Sequence, residues 1–340
     1  MAVNIANGLY KELSFSALVT TRNEGALKKN INTHVVYSFL NKKSIFDIKA
    51  ILRFRTFLII NKIEIIHAHG TSYFFAVLVK LIYPNVKILW HDHNGNRVNI
   101  KKTNIVLKLF SFLFIGVFTV NKELEKWANK ELYCKKIYFI PNFAVINSSE
   151  KATTILNGKL GKRIICLANL RKPKNHITLL KSFSASNAKS DNWTLHLIGA
   201  DKKDNYSDEL KEFIIENKLE NHVFIYGGCN DISLILKQGN IGVLVSTYEG
   251  FPVTLLEYGM SRLAVISTNV GYCKSVVQNE ISGLLFNPYD ENELTKCLNV
   301  LINNKLYREK LSINLHTFVT KTYSESAILK KIIQAYNKIF

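Results

Sequence analysis

Residues 241–271 constrain the fold of this chain more than any other segment. They begin with the apolar, β-branched run 241–246, a pattern typical of a strand buried on both faces of a parallel sheet. A short loop follows, and Pro252 is suited to the first position of the helix predicted after it. Residues 263–268 form a second apolar strand. The segment therefore predicts a strand–loop–helix–strand unit whose helix N-terminus presents backbone amides to an anion such as phosphate.

Two carboxylates mark this unit. Glu249 lies in the loop, and Glu257 follows on the helix among Leu255, Leu256 and Tyr258. A carboxylate in apolar surroundings is costly unless hydrogen-bond donors compensate it, and sugar hydroxyls are such donors. The alternative is that Glu257 is a solvated residue on an amphipathic helix. Its position within the strand–loop–helix unit favours the ligand-binding interpretation.

The pattern E-G-F-P-x4-E that starts at Glu249, with Gly271 downstream, resembles the donor-site signature of family-4 glycosyltransferases of the bacterial surface-polysaccharide type. The resemblance implies that Glu257 binds the nucleotide ribose and that Glu249 contacts the transferred hexose. It also implies that the residues between them hold the donor diphosphate: Gly250, Phe251, Pro252 and Val253.

Short strands and helices alternate along the whole chain, which predicts parallel sheets covered on both faces. The alternation stops at a polar stretch, 147–161, and then restarts. Two doubly wound, Rossmann-like domains joined there are the GT-B architecture of the resembled family, with the active site in the cleft between them. We predict an N-terminal acceptor-side domain over 1–145, a nucleotide-sugar-binding domain over 146–322, and a C-terminal helix over 323–340 that packs back toward the first domain.

The start of the chain departs from the family pattern. The family's N-terminal domain begins with a strand and a Gly-Gly loop before the helix that resembles residues 2–13, whereas this sequence starts within that helix. We therefore expect the first strand to be missing from this sequence and to be encoded upstream of Met1. A protein that lacked the strand altogether would favour a non-catalytic role.

Further candidates for donor binding lie at predicted strand ends. Lys174 resembles the family lysine that neutralises the donor diphosphate, a role suited to a compact ammonium group. Arg171 stands two residues beyond the position where the family often has arginine, so a donor role and a surface cation both remain open. Gly199 and Gly227 resemble glycines at which the backbone passes close to the nucleotide. A glycine in such a turn also needs no ligand.

Histidines cluster at two predicted strand ends. His67 and His69 lie in I-I-H-A-H-G, and His91, Asp92 and His93 lie in the polar loop H-D-H-N-G-N that is predicted to follow the strand 86–90. Residues two apart share a face only where a strand stays extended, and no separate set of carboxylates completes a metal site. We therefore expect no metal and no cofactor beyond the sugar nucleotide. His93 best matches the family histidine that contacts the donor sugar, with His91 as the competitor, while His67 and His69 line the acceptor side or cap a strand.

Composition narrows the classes of function. Of the net charge of +19, +13 lies in residues 1–149, which hold 21 Lys and Arg against 8 Asp and Glu. Such a surface suits nucleic acid, an anionic membrane or phosphorylated substrates. No nucleic-acid motif accompanies it, so we expect no nucleic-acid partner. The five cysteines form no C-x-x-C pair and are interpreted as buried thiols in a reducing compartment.

Membrane contact is expected to be peripheral at most. The most apolar run, 109–121, is shorter than the roughly 20 residues of a spanning helix, and no signal peptide precedes it. A basic helix with an apolar face can instead lie in a membrane interface. The candidate segment has three lysines, Lys101, Lys102 and Lys108, beside an apolar face of Ile105, Leu109, Phe110 and Leu113. The alternative is that these apolar residues belong to the core and that the lysines only solubilise its rim.

Together the residues and the resemblance predict a cytoplasmic glycosyltransferase, peripheral on the cytoplasmic face of the inner membrane. It would move a hexosyl unit from a nucleotide diphosphate sugar to a hydroxyl of a glycan or lipid-linked acceptor in cell-surface polysaccharide synthesis. The resemblance implies retention of anomeric configuration and no required metal. The alternatives are a GT-B sugar-nucleotide epimerase and a non-catalytic sugar-nucleotide-binding subunit.

Overall fold

The computed structural model describes residues 1–99, 104–146 and 153–339. Contacts divide the chain into two units, residues 1–143 with 325–340 and residues 144–324. Both units are α/β, and every pairing between their strands is parallel. The prediction of parallel sheets from the alternation of strands and helices is therefore confirmed.

The first unit contains a two-stranded sheet of order β1-β2 and a four-stranded sheet of order β3-β4-β5-β6. No ladder joins the two sheets within the part of the chain that the structure describes. A cavity of about 300 Å³ is lined by apolar side chains of β1, β3 and nearby helices, and also by His67 and His69. The strand bounds are β1 Ala17–Thr20, β2 Val36–Phe39, β3 Ile65–His69, β4 Lys87–Asp92, β5 Phe114–Thr119 and β6 Ile137–Phe139.

Three helices of the first unit begin at side chains that satisfy their free amides. The side chains of Asp47, Asn104 and Asn121 accept hydrogen bonds from the first turns of α2, α4 and α5 respectively, which are the favoured residue types for this position. The helix bounds are α1 Ala2–Leu13, α2 Ile48–Ile60, α3 Tyr73–Ile82, α4 Ile105–Phe110 and α5 Lys122–Glu131.

The second unit is one six-stranded sheet of order β12-β11-β10-β7-β8-β9. The chain runs outward from β7 to β9, returns to the other side of β7, and runs outward again. The loops after β7 and β10 therefore diverge, and such a reversal leaves the crevice in which open parallel sheets bind ligands. The strand bounds are β7 Arg163–Leu167, β8 Thr194–Ile198, β9 Val223–Gly227, β10 Ile241–Leu244, β11 Ala264–Thr268 and β12 Leu284–Phe286.

Helices cover both faces of this sheet, and one further helix returns to the first unit. The helices of the second unit are α6 His176–Ala185, α7 Asn205–Glu216, α8 Ile232–Leu236, α9 Val253–Met260, α10 Cys273–Val276, α11 Glu291–Asn303 and α12 Lys305–Tyr323. The last helix, α13 (Glu325–Ile339), belongs to the first unit. Within the described ranges, no helix combines the length and apolar character needed to cross a membrane.

Element boundaries differ from the sequence predictions at three places that matter for function. Strand β4 continues through His91 and Asp92, which were predicted to lie in a polar loop. Strand β10 ends at Leu244, two residues earlier than predicted. Helix α9 begins at Val253, so Pro252 precedes the helix and does not occupy its first position.

Tyr258 joins β7 and β10 where the two strands separate. Their pairing covers only Ile241 with Ile164 and Gly242 with Ile165. Beyond it, the buried Tyr258 hydroxyl accepts a hydrogen bond from the amide of Leu167 at 2.7 Å and lies 3.3 Å from the carbonyls of Ile165 and Val243. A Cβ on Gly242 would lie 2.5 Å from the tyrosine ring, so this position accommodates the ring only as glycine.

We expect Tyr258→Phe to lower the free energy of unfolding by about 1–3 kcal/mol, because the buried amide of Leu167 would lose its partner. Urea unfolding of the variant and the parent measures the difference. Tyr289→Phe is the control, because Tyr289 is 78% exposed. Equal midpoints for both variants would show that the hydroxyl does not hold the two strands.

Candidate functional site

Two predicted site residues meet in the crevice of the second unit. Lys174 ends a short 3-10 turn after β7, and Glu249 lies in the loop after β10. The Lys174 Nζ and Glu249 Oε1 atoms are 2.5 Å apart, and both side chains are largely buried, with 18% and 12% of their areas exposed. The sequence thus places a cation and a carboxylate on opposite sides of the point where the strand order reverses.

Backbone contacts fix the two loops that carry this pair. The amide of Thr247 donates to the carbonyl of Pro173 at 3.0 Å, which joins the loops directly. Gly271 has a φ of +50°, and a Cβ there would lie 1.8 Å from the carbonyl oxygen of Glu249. Only glycine adopts this conformation and leaves this space without strain. Gly271, which the motif comparison singled out, therefore supports the Glu249 loop.

A cavity of about 340 Å³ lies beside the ion pair. Of the two predicted nucleotide glycines, Gly199 lines it, and the Gly199 amide donates to the carbonyl of Gly227 at 2.8 Å. A Cβ on Gly199 would lie 2.1 Å from the carbonyl of Ala168, so the backbone itself requires glycine there. The cavity is also lined by polar and small residues of several loops: Asn169, Lys174, Ala200, Gly228, Cys229 and Thr254.

Glu257 lies on α9, one turn beyond Val253 and Thr254, so its side chain projects on the same side of the helix as theirs. Thr254 lines the cavity. Burial raises the pKa of the Glu257 carboxyl to about 7, and no hydrogen bond or charge among the described residues offsets that cost. A partly exposed carboxylate without a partner is what the ribose prediction requires.

The loop amides are less free than the sequence suggested. Pro252 has no N–H, the Val253 amide donates to the Phe251 carbonyl at 3.1 Å, and the Leu255 amide donates to the Pro252 carbonyl at the same distance. The Phe251 ring stacks on Tyr272, with centroids 5.2 Å apart. Within this structure Phe251 and Pro252 therefore shape the loop, and holding a diphosphate with Gly250 and Val253 remains a prediction.

The second predicted cation is placed differently from Lys174. Arg171 is exposed and precedes the 3-10 turn, and it does not line the cavity. The structure therefore brings Lys174, and not Arg171, to the carboxylate. The interpretation of Arg171 as a surface cation agrees with this position.

Four histidines stack at the ends of β3 and β4 in the first unit. His67 Nε2 is 3.1 Å from His91 Nδ1, and His69 Nδ1 is 2.9 Å from His93 Nε2. His67 Nδ1 lies 2.8 Å from the hydroxyl of Tyr336 on α13. These four histidines are called the histidine quartet below. They lie side by side because β3 pairs in parallel with β4, with His69 opposite His91.

The quartet is neutral near pH 7. Burial is the main cause that lowers the pKa of His67 to about 3, and repulsion from a protonated His93 is the smaller cause. Burial lowers the pKa of His93 to about 4. The pKa values of His69 and His91 are also lowered, mainly by burial. Each ring therefore carries one N–H donor and one lone pair that can accept a hydrogen bond or bind a metal.

Asp92, between His91 and His93, forms an ion pair with Arg97. Its Oδ2 lies 2.5 Å from the Nε of Arg97, whose guanidinium stacks over Trp90 and Trp127 with separations of 5.3 and 5.4 Å. The carboxylate is fully buried in this arrangement. Asp92 thus has a structural role in the first unit.

Two residues near the crevice were missed from the sequence. Tyr258 is one, because a tyrosine on an apolar helix face is predicted only to be a core residue. His176 is the other: it follows Lys174 by two residues, is fully buried, and neither ring nitrogen has a hydrogen bond of ordinary geometry. Burial lowers its pKa to about 4, so it is neutral and gives the crevice no charge.

Comparison with known proteins agrees with this geometry. The family described as "Glycosyl transferases group 1" matches residues 150–317. An uncharacterized glycosyltransferase of Haemophilus influenzae is 24% identical over 100% of this chain and 94% of its own. The UDP-Gal:alpha-D-GlcNAc-diphosphoundecaprenol alpha-1,3-galactosyltransferase of Escherichia coli is 24% identical over 77% of this chain and 71% of its own.

A solved structure shares the fold over nearly the whole chain. Anabaena HepE in complex with UDP-glucose superposes with a TM-score of 0.81 at 15% identity, and the match covers 99% of this chain and 95% of that one. The fold is therefore the GT-B architecture of two Rossmann-like units. The group 1 model matches most of the second unit, so this part of the chain is similar to the family-4, or group 1, glycosyltransferases.

We expect Gly271→Ala to lower the free energy of unfolding by about 1–3 kcal/mol, because alanine would meet the Glu249 carbonyl and would have to adopt a positive φ. Urea unfolding measures the loss. Gly25→Ala is the matched control, since nothing lies within 4 Å of a Cβ there. Similar stability of the two variants would contradict the close approach of the two loops.

Proposed function

We propose that the protein transfers a hexosyl unit from a nucleotide diphosphate sugar to a hydroxyl of a glycan or lipid-linked acceptor, with retention of configuration and without a required metal. The observation that carries the proposal is the Lys174–Glu249 pair at the reversal of strand order, beside a cavity lined by Gly199 and Thr254. The named activity of the Escherichia coli relative, galactosyl transfer to a diphosphoundecaprenol-linked sugar, supports an acceptor of the same kind.

Lys174 is the group that would meet the donor diphosphate. In the absence of donor its charge is balanced by Glu249, so the partly buried ammonium is stabilised until a stronger anion arrives. A diphosphate carries more negative charge than one carboxylate and would take over Lys174. The ammonium would then stabilise the charge that develops on the departing nucleotide diphosphate.

The same exchange frees Glu249 for the sugar. A carboxylate released from Lys174 accepts hydrogen bonds from hexose hydroxyls, and the Gly271 contact keeps its backbone in place. The acceptor hydroxyl would attack the face that the nucleotide leaves and would give its proton to an oxygen of the departing diphosphate, so no separate general base is needed. His93, in the first unit, is the candidate contact for the donor sugar through its neutral imidazole.

Product analysis tests the proposal against its alternatives. The chain is incubated with UDP-glucose and other nucleotide sugars, with and without a polyprenyl-diphosphate-linked sugar, in the presence of a chelator. Transfer or slow hydrolysis that survives chelation, with an α-linked product from an α-linked donor, supports the proposal. An isomerised sugar nucleotide would indicate the epimerase. Binding without any product would indicate a non-catalytic subunit.

We expect UDP-glucose affinity to fall about tenfold between pH 8 and pH 6, because the ribose needs the ionised Glu257 carboxylate and the pKa of this group is raised to about 7. Protonation below that pKa removes the acceptor. Calorimetric titration across this pH range measures the effect. In Glu257→Gln the affinity should be lower at pH 8 by roughly 1.5–3 kcal/mol and nearly independent of pH.

Glu216→Gln is the control for this titration, because Glu216 is exposed at the end of α7. It should retain both the affinity and the pH dependence of the parent. A Glu257→Gln variant that keeps the parent's pH profile would place the titrating group elsewhere and would remove the ribose assignment.

An anionic membrane surface is the proposed location of the acceptor reaction. On and just after α4, Ile105, Leu109 and Phe112 are 72%, 53% and 67% exposed, whereas Leu107 is buried. The interpretation of the predicted face as core therefore agrees with Phe110 and Leu113, which pack partly buried against the core of the first unit, and disagrees with Ile105 and Leu109. Phe110 is half-buried against Phe74, which also contacts the exposed Phe46. Lys108 lies beside this face, while Lys101 and Lys102 fall outside the described residues.

We expect the protein to sediment with anionic liposomes at low salt and much less with neutral ones, since each lysine or arginine near an anionic surface adds about 1 kcal/mol. Replacing Leu109 and Phe112 by serine should weaken the binding, because these side chains would enter the interface. Leu306→Ser, at a position 80% exposed on α12, is the control. Binding that ignores lipid charge and both substitutions would contradict this surface.

A further inference from the structure

The histidine quartet has a capacity that sugar transfer does not use. One ring nitrogen from each of His67, His69 and His91 lies within 4.8 Å of the others. The sequence argued against a metal because histidines two apart share a face only on an extended strand. The structure supplies that condition, since β3 runs through both His67 and His69 and β4 runs through His91.

We propose that His67, His69 and His91 bind a divalent late-transition-metal ion, of which Zn²⁺ is the physiological candidate. Three imidazoles without a carboxylate favour Zn²⁺, Ni²⁺ or Cu²⁺ over Mg²⁺ and Ca²⁺, which prefer oxygen ligands. Three histidines with a fourth position open is an established arrangement for zinc. The site takes no part in the transfer proposed above and does not depend on it.

The spacing of the ring nitrogens is close to what the ion requires. Two nitrogens bound tetrahedrally to Zn²⁺ at about 2.0–2.1 Å lie about 3.3–3.4 Å apart. His67 Nε2 and His91 Nδ1 are 3.1 Å apart. All separations in the set are within 4.8 Å, so none exceeds the ideal by more than about 1.4 Å. Rotation of a partly exposed imidazole about its soft χ2 torsion can close that difference.

Hydrogen bonding around the rings is compatible with a metal-bound form as well as with a ladder of imidazoles. Whichever tautomers are assigned, the bonds from Tyr336 through His67 to His91 leave the buried Nε2 of His91 next to the Ile140 backbone without a bond of ordinary geometry. When a metal takes His67 Nε2 and His91 Nδ1, the His67 Nδ1–H is free to donate to the Tyr336 hydroxyl. A donor bond of this kind from the ring's other nitrogen is the usual support for a metal-bound histidine.

An ion can reach the site from the cavity of the first unit. His67 and His69 line this cavity of about 300 Å³, together with Ser72 and Tyr336. His67 and His69 are only partly buried, whereas His91 is 1% exposed and forms the inner wall. Entry from the cavity would therefore bring the ion to the two accessible histidines first and then to His91.

The test is metal binding by the full chain after removal of any affinity tag and dialysis against a chelator. Equilibrium dialysis with Zn²⁺ should give one ion per chain, and Co²⁺ in the same site should show the visible absorption of a tetrahedral complex. We expect His69→Gln to bind Zn²⁺ at least tenfold more weakly. Tyr336→Phe should keep the stoichiometry with affinity 10–100-fold lower, because the ring loses its orienting partner.

His34→Gln is the matched control, since His34 is exposed in the same unit and lies outside the quartet. It should bind Zn²⁺ as the parent does. Circular dichroism verifies that each variant is folded, and if His69→Gln does not fold, Tyr336→Phe and the Co²⁺ spectrum decide. Equal Zn²⁺ affinity in the parent, His69→Gln and Tyr336→Phe, or no binding by the parent, would show that the quartet is only a hydrogen-bonded ladder of imidazoles.

Discussion

The hydroxyl of Tyr258 is the contact on which the crevice of the second unit depends. Parallel pairing between β7 and β10 ends after two residue pairs, and their following backbone groups would be left buried without partners. The hydroxyl occupies the opening, with Leu167 donating to it and two carbonyls within reach. The strands can therefore separate at little energetic cost. The loops that carry Lys174 and Glu249 diverge from this point, so the crevice follows from one side chain and the glycine that accommodates it.

Two of the three charged groups in the crevice compensate each other, and the third has no partner of opposite charge. Lys174 and Glu249 compensate each other, which offsets much of the cost of burying both. Glu257 has no such partner, and its raised pKa measures the cost that remains. A ligand with hydroxyl donors at one end and a diphosphate at the other would relieve Glu257 and replace the internal partner of Lys174. The proposed donor, a nucleotide diphosphate sugar, carries both kinds of group.

Local patterns predicted the parts of the site that depend on nearby residues. The apolar run, the loop glycine and Glu257 are close in sequence, so the strand–loop–helix–strand unit was visible, as was Lys174 in its turn. Contacts between distant segments were not. Tyr336 reaches His67 across 269 positions, and Tyr258 reaches Leu167 across 91. His91 was placed in a loop because its neighbours are polar, whereas pairing of β4 with β3 and β5 overrides that local composition.

The histidine quartet and the crevice of the second unit share one feature, which is that each buries polar side chains with incomplete hydrogen bonding. In each, polar side chains lie at the C-terminal ends of parallel strands, where the sheet no longer supplies hydrogen bonds. The crevice satisfies its ions in part with each other, and the quartet pairs its rings. Each retains one group without a full partner, Glu257 in one unit and the His91 Nε2 in the other. A hydroxyl-rich ligand would supply the donors that Glu257 lacks. A metal ion bound by His67, His69 and His91 would fix the tautomers of those three rings.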